Sequence, residues 1–300
     1  MPFPRKTADP RDPRASSLLV PSESFDQGDF VLLGLPFDSS IPSRPGARMG
    51  PRAFRDALPS HTTFGRGIDL ADRVCRDLGD LDLPPTSVRR AHALVEAASR
   101  DIFAKGATPF FIGGDNGLTG AILRGLALAR PSLKVGLVVI DSHYDVREYD
   151  DEDSLSSGTP YRRALETSIC DGARTFILGT RDFANSAYYD KYVREQGVTT
   201  VDVESALSRA ADVRAALEKS SDAIFLSIDI DAVELPGSSA AAPGTLTSRE
   251  MIAIVREISR SSKLIGADLS ELSPPWDVSG MTAKLAVRLF LEIFTVAVGS

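Results

Sequence analysis

The chain has 300 residues, of which 43% are hydrophobic and 25% are charged, a composition typical of a globular protein with a sizeable core. Its formal net charge of −7 argues against nucleic acid as the main partner, because binding phosphates requires a clustered basic face. No apolar run has the length of a signal-peptide core or of a membrane span, so we predict a cytoplasmic protein without a membrane partner.

The order of polar and apolar segments predicts the secondary structure. Residues 1–25 are rich in Pro, Arg, Ser and Asp, which predicts a flexible N-terminal arm, followed by a single domain over residues 26–300. Buried parallel strands are predicted over residues 30–37, 108–114, 134–141, 174–180, 198–203, 223–231 and 264–272. Amphipathic helices are predicted over residues 87–106, 205–220 and 247–261. This alternation indicates an α/β fold, a doubly wound parallel sheet with helices on both faces.

Four of the predicted strands end in acidic or amide-bearing turns. These turns are GGDN at 113–116, DSHYD at 141–145, DID at 229–231 and DLSE at 268–271. In an open parallel sheet, ligands bind outside the carboxyl ends of the strands, which is where these side chains lie. We therefore expect the functional site at this edge of the sheet.

Two of these turns carry the residue types of a metal site. Asp141, His143 and Asp145 alternate along an extended segment, so their side chains project to one side of the chain. Asp229 and Asp231 repeat the pattern. Four carboxylates at the end of a buried sheet are unfavourable unless a cation lies among them. One imidazole and no thiolate favour Mn²⁺ over Zn²⁺, and bridging carboxylates indicate two ions.

Six segments, taken in order, carry a family resemblance. They read GLPFDSSIPSRPGARMGPRAFR (34–55), FIGGDNGLT (111–119), VVIDSHYD (138–145), SSGTPYRRALE (156–166), LSIDID (226–231) and ADLSELSPPWDVSGMTAKLA (267–286). Together they resemble the ureohydrolase family of arginase and agmatinase. The first and fourth segments are most similar to the agmatinase branch.

The resemblance implies a three-layer α/β/α arginase-like fold with a central parallel sheet of about eight strands. It also implies a homo-oligomer, a trimer or a hexamer, with a centre of two Mn²⁺ ions. Such a protein is an amidinohydrolase: it hydrolyses a guanidino or related C–N bond of a small linear amidine and releases urea and an amine.

Carried over residue by residue, the resemblance implies six positions for metal ligands. Asp141 and Asp229 would bridge the two ions. His143 and Asp231 would complete the ligands of one ion, and Asp145 would serve the other and take part in catalysis. The metal ligands so implied are Asn116, Asp141, His143, Asp145, Asp229 and Asp231.

Catalytic and substrate-binding positions follow from the same resemblance. Glu271 would face the guanidinium group of the substrate. Ser157 stands where the agmatinase pattern has a histidine before Gly-Thr-Pro, so it is a candidate for catalysis and substrate contact, although it cannot replace an imidazole in proton transfer. Ser238, in a loop that is shorter than in the family, is a further candidate for substrate contact.

The first ligand position departs most clearly from the family pattern. Asn116 stands where the family has a histidine ligand, and a neutral amide oxygen binds manganese more weakly than imidazole does. We therefore expect one of the two metal sites to be weak or empty. The remaining histidines, His61 and His92, are predicted to be structural.

Two other hypotheses remain open at the level of the sequence. The losses at Asn116 and Ser157 favour a non-hydrolytic member of the family, a pseudoenzyme or a regulatory or binding protein with one metal or none. The segment FLSIDIDAV also resembles the nucleophile motif of haloacid-dehalogenase-like phosphatases, with Asp229 as the nucleophile. That motif normally begins its domain, whereas here it lies late in the chain.

Overall fold

The computed structural model describes residues 9–149, 155–167 and 169–299. The strands are β1 (Leu19–Pro21), β2 (Phe30–Gly34), β3 (Phe64–Gly65), β4 (Ile68–Asp69), β5 (Cys75–Asp80), β6 (Thr108–Ile112), β7 (Val135–Ile140), β8 (Thr175–Thr180), β9 (Thr199–Asp202), β10 (Ala223–Asp229) and β11 (Leu264–Ser270). The helices are α1 (Gly50–Ala57), α2 (Val88–Lys105), α3 (Gly117–Ala129), α4 (Pro160–Glu166), α5 (Ala187–Glu195), α6 (Val203–Ser220), α7 (Ser248–Ser259) and α8 (Met281–Val298).

Nine of these strands form one sheet, and all of its pairings are parallel. The strand order is β1-β5-β2-β6-β11-β10-β7-β8-β9, while β3 and β4 form a separate antiparallel hairpin. The α/β fold with a central parallel sheet is therefore confirmed, with nine strands in place of about eight. All seven predicted strands are present. The two further strands, β1 and β5, have no apolar run, because β1 has only three residues and β5 reads CRDLGD.

The sheet separates two hydrophobic cores. Successive residues of a strand point to opposite faces, so Val31 lies in one core and Leu32 in the other. Helices α1, α6, α7 and α8 cover the core that contains Leu32, and α2, α3, α4 and α5 cover the core that contains Val31. The molecule thus has the three predicted layers.

The predicted flexible arm over residues 1–25 is wrong for part of its length. Ala15 and Leu18 are fully buried, and β1 pairs in parallel with β5 at the edge of the sheet. The apolar residues of this segment pack into the core, and that burial outweighs the polar composition on which the prediction was based. Residues 1–8 lie outside the described residues.

Helix boundaries follow ordinary capping chemistry. Thr247, the N-cap of α7, forms a capping box with Glu250, and α2 ends at Gly106 in the left-handed conformation, with φ of 79°. None of the helices in the described ranges is long and apolar enough to cross a lipid bilayer.

A buried carboxylate ties three parts of the fold together. Glu292 of α8, with a side chain that is 3% exposed, pairs with Arg288 one turn earlier and with Arg256 of α7 at 2.8 Å. Arg66, between β3 and β4, reaches the same carboxylate at 2.7 Å. Burial alone would raise the pKa of Glu292, but the three guanidinium groups lower it below its ordinary value. We call these four residues the Glu292 cluster.

Candidate active site

The polar strand ends meet on four consecutive strands. In the order of the sheet, β6, β11, β10 and β7 are neighbours. Their carboxyl ends are in register to within one residue, since Leu269 pairs with Ile112 and Ile228 pairs with Ile140. The GGDN, DLSE, DID and DSHYD turns therefore lie side by side at the carboxyl edge of the sheet, as the sequence predicts.

The GGDN turn is shaped by a close backbone contact. A Cβ atom at Gly114 would lie 1.7 Å from the carbonyl oxygen of Phe37, so this position requires glycine. The N–H of Asp115 donates to the same carbonyl at 2.8 Å, and α3 begins directly after Asn116. The turn thereby fixes Asn116 beside the neighbouring strand ends.

Five of the six predicted metal ligands come together in the structure. Ligand atoms of Asp141, His143 and Asp231 lie within 4.8 Å of one another. Those of Asp141, Asp145 and Asp229 satisfy the same limit. Asp141 is shared by both groups, as a bridging ligand would be, whereas Asp229, the other predicted bridging ligand, belongs to one group only. We call these five residues the acidic cluster.

Local turns hold one oxygen of two of these carboxylates. Asp141 Oδ1 accepts the N–H of His143 at 2.6 Å, and Asp229 Oδ1 accepts the N–H of Asp231 at 2.9 Å. Asp141 Oδ2 is completely buried and has no hydrogen-bond partner among the described residues. A buried carboxylate oxygen without a partner is unfavourable, and a cation would supply the missing contact.

The charges of the acidic cluster also favour a cation. Burial, followed by repulsion from neighbouring carboxylates, raises the pKa of Asp141 and of Asp229 well above the ordinary value. Burial raises the pKa of Asp145 to about 6. Burial lowers the pKa of His143, but the carboxylates of Asp231 and Asp141 outweigh it and raise that pKa to about 12. Ionisation of all these carboxylates together is therefore unfavourable unless more positive charge than one imidazole is present.

Asn116 is oriented by hydrogen bonds. Its Nδ2 donates to Asp145 Oδ2 at 2.8 Å. An ionised carboxylate only accepts, so the amide oxygen must lie on the other side, where it accepts from Ser270 Oγ at 3.1 Å and lies 3.0 Å from Thr119 Oγ1. In this arrangement Asn116 positions a predicted ligand, and its own oxygen is already engaged.

Glu271 is fixed at both carboxylate oxygens. Oε1 accepts the backbone N–H of Asn116 at 2.7 Å, and Oε2 accepts the hydroxyl of Ser239. The residue is 2% exposed and has a left-handed backbone, with φ of 64°, which is unfavourable for a side chain of this kind. Burial, and then the charge of Asp115, raise its pKa well above the ordinary value. An amidinium group would balance this carboxylate.

Two cavities open beside the acidic cluster. The site cavity has a volume of 290 Å³, and its lining includes His143, Asp145 and Glu271. A side cavity of 380 Å³ shares His143 and Asp145 and extends to Tyr189. Arg147 lines both cavities, and among the described lining residues it is the only permanently positive side chain. The lining therefore combines several carboxylates with one guanidinium group.

The serine predictions have different outcomes. Ser157 lines the site cavity, as the sequence predicts. Ser238 is fully buried and its Oγ has no partner among the described residues, whereas Ser239 lines the site cavity and contacts Glu271. The placement of Ser238 therefore does not support contact with a substrate. Arg147 was not predicted, although its position just after the DSHYD turn is a usable signal.

The two remaining histidines lie away from this site. His61 Nδ1 is 3.0 Å from Ser60 Oγ, and burial lowers its pKa. His92 is buried in α2, where burial lowers its pKa to about 4. Neither residue lines the site cavity or the side cavity.

Known proteins are similar to this chain in sequence and in fold. Residues 28–295 match the profile of the Arginase family. A formimidoylglutamase from Halobacterium salinarum is 35% identical over 292 residues, which are 94% of this chain and 93% of the relative. A guanidinopropionase from Pseudomonas aeruginosa is 30% identical over 276 residues, which are 87% of this chain and 84% of the relative.

Solved structures show the same similarity. The formimidoylglutamase of Bacillus subtilis superposes with a TM-score of 0.91 at 26% identity, covering 98% of this chain and 96% of that one. A variant of Trypanosoma cruzi formiminoglutamase with an asparagine replaced by histidine, crystallised with Mn²⁺, has a TM-score of 0.85 at 27% identity, covering 96% of this chain and 98% of the other.

Proposed function

The chain belongs to the arginase family, and from that premise we propose that it is a manganese-dependent hydrolase of small amidines that carry a carboxylate. The main observation is the arrangement of charge around the site cavity. All of the acidic cluster except Asp141 lines this cavity together with Glu271 and Arg147, and Arg147 is its only arginine or lysine among the described residues. A molecule that carries both an amidinium group and a carboxylate would find a partner for each group.

The names of the relatives support an acidic substrate over agmatine. Formimidoylglutamate and guanidinopropionate each carry an amidine-type group and at least one carboxylate. Agmatine carries a second cation in place of the carboxylate, and that cation would face Arg147. The proposal therefore keeps the predicted amidinohydrolase and replaces the agmatine-like substrate with a guanidino or formimidoyl acid.

The acidic cluster fits the metal that the family implies. Asp141, His143 and Asp231 would hold one ion, and Asp141, Asp145 and Asp229 would hold the other. Bound ions lower the pKa of water and polarise the substrate. We propose that the site formed by Asp141, Asp145 and Asp229 binds its ion more weakly than the other site does. Asn116 donates a hydrogen bond to Asp145 and contributes no imidazole there.

The residues of the chain have separate tasks in this proposal. Glu271 binds the amidinium group, and Arg147 orients the substrate carboxylate. Ser157 and Ser239 line the same cavity, and Ser239 takes the role predicted for Ser238. Asp145 Oδ1, the oxygen that Asn116 does not contact, is the proposed ligand atom of this residue for the second ion.

Hydrolysis of a defined set of amidines tests the function. The manganese-loaded protein is incubated with formimidoylglutamate, guanidinopropionate, guanidinobutyrate and agmatine, and formamide, urea and the amine products are quantified. We expect turnover of at least one acid and at least about 100-fold lower kcat/KM for agmatine. Arg147→Met should raise KM for the acid without a similar effect on agmatine. A kcat/KM for agmatine equal to that for the acids would contradict the role of Arg147.

A non-hydrolytic family member is the second candidate. Asn116 and Ser157 replace two residues that the family pattern uses, and this favours it. Metal analysis combined with the assay separates the candidates: metal-loaded protein that binds the acids but turns over none of them would support the second.

We also propose that the protein is a homo-oligomer, a trimer or a hexamer. Light scattering, which gives the molar mass in solution, tests this.

A further inference from the structure

The carboxylate of Glu271 is held by a residue of a neighbouring loop. Ser239 Oγ donates to Glu271 Oε2, and Ser239 lies in the segment between the DID turn and α7. An isolated antiparallel bridge between Ser238 and Leu272 joins this segment to the residue after Glu271. The position of the Ser239 hydroxyl therefore depends on how residues 238 and 239 are held.

Arg44 holds both of these residues through their backbone. Its Nη2 donates to the carbonyl of Ser238 at 2.8 Å, and its Nε donates to the carbonyl of Ser239 at 3.1 Å. A guanidinium group has a rigid fork of donors that can bind two neighbouring acceptors at once, which a lysine ammonium on its flexible stem does not reproduce. Arg44 thus sets both the place and the direction of the loop.

Arg44 is itself fixed by its surroundings. Its guanidinium lies 4.7 Å from the centre of the Trp276 ring, and Trp276 Nε1 donates to the carbonyl of Pro45 at 3.0 Å. The next residue, Gly46, has φ of 135°, and its N–H donates to the buried Asp38 at 2.7 Å. The segment that carries Arg44 is therefore anchored on both sides.

We propose that Arg44 is a positioning residue for amidinium binding, acting through Ser239 on Glu271. This inference rests on the proposed function, in which Glu271 binds the amidinium group. Arg44 does not line the site cavity or the side cavity, so its effect would pass through the loop and not through contact with substrate.

The test is a double-mutant cycle with Arg44→Lys and Ser239→Ala. We expect Arg44→Lys to raise KM about 10-fold with little change in kcat, because the interaction with the amidinium is present before and during the reaction. In the Ser239→Ala background, Arg44→Lys should add less than about 2-fold, because the path to Glu271 is already broken. Additive effects, or no effect of Arg44→Lys, would overturn the proposal.

Two measurements separate positioning from general damage. Manganese content and the urea midpoint of unfolding should remain at the wild-type values in Arg44→Lys. The matched control is Arg52→Lys on α1, where the arginine is 87% exposed, and it should leave KM unchanged. A variant that lost metal, stability and kcat together would show a merely structural role.

Binding without hydrolysis keeps this inference distinct from the proposed function. Methylguanidinium binding to the manganese-loaded protein is measured by calorimetry, and Arg44→Lys should weaken it about 10-fold. Wild-type protein that binds methylguanidinium but hydrolyses no amidine would contradict the proposed function alone. Wild-type protein that binds no methylguanidinium would contradict the role of Glu271, and with it that of Arg44.

Discussion

Two clusters of buried charge in this protein differ in how their charge is balanced. In the Glu292 cluster three arginines surround one carboxylate, and the pKa of Glu292 is lowered. In the acidic cluster four carboxylates surround one imidazole, and the pKa values of Asp141 and Asp229 are raised. The first cluster is complete within the chain, whereas the second needs a partner from outside. The contrast distinguishes a structural ionic cluster from a binding site.

The largest expected effect is that of Asp229→Asn. Removing one carboxylate from the acidic cluster should lower manganese content and reduce kcat/KM about 1000-fold or more. In metal-free protein the same change should raise the free energy of unfolding by about 1 kcal/mol, because it removes repulsion that raises the pKa of this group. Mass spectrometry of bound metal and urea unfolding measure both effects. Asp212→Asn, at an exposed site, is the control.

Glu292→Gln should have the opposite effect on stability. It leaves three arginines gathered around a neutral group, so we expect a loss of about 3 kcal/mol in the free energy of unfolding. Metal content should be unchanged. Urea unfolding followed by circular dichroism measures the loss, and Glu195→Gln, at an exposed pair, should change it little. A loss below about 1 kcal/mol would remove the contrast between the two clusters.

Asn116→His should move the acidic cluster towards the family pattern. An imidazole would add a sixth ligand, and we expect manganese affinity at the weaker site to rise about 10-fold. Competition with a metal-binding dye measures the affinity. Asn116→Ala, which also removes the hydrogen bond to Asp145 but adds no ligand, separates ligation from the loss of that bond. Equal affinity in the two variants would show that the imidazole does not bind.

The smallest expected effect concerns Asp268, a buried carboxyl behind the site. Burial raises its pKa to about 7, so its ionised form opposes folding, and that cost develops between the unfolded value of 3.8 and about 7. From pH 6.5 to pH 8, it should reduce the stability of the metal-free protein by about 1 kcal/mol. Asp268→Asn should flatten this part of the curve of unfolding free energy against pH. An unchanged slope in Asp268→Asn would show that another group titrates in this pH range.

Much of the fold follows from local patterns in the sequence. Each apolar run forms a strand because both faces of a parallel sheet are covered by helices. The strands β1 and β5 were not predicted because a short or polar segment can still join a sheet when its backbone pairs with a neighbour, β1 with β5 and β5 with β2. The burial of Leu18 likewise depends on a surface that only the folded chain provides.

In the site, too, local patterns were predictable from the sequence and contacts between distant segments were not. The sequence predicted that Asp141, His143 and Asp145 lie together, with Asp229 and Asp231 beside them, and the structure brings them together. The predicted extended conformation is wrong, because Ile230–Ala232 is a 3-10 helix and Asp145 has a left-handed backbone with φ of 46°. Contacts between distant segments could not be read in this way, because no local spacing relates them. Arg44 and Ser239 are separated by 195 positions in the chain, and only the folded loops bring them together.

Trp276 gives this molecule a local optical probe. It is the single tryptophan of the chain, and it is 41% exposed, under the guanidinium of Arg44 and hydrogen-bonded to Pro45. Its emission therefore reports on the loop at the rim of the site and not on the sheet. If the loop opens before the sheet unfolds, the emission will change at a lower denaturant concentration than the circular dichroism signal. The separation of the two transitions would measure how closely the rim is coupled to the rest of the protein.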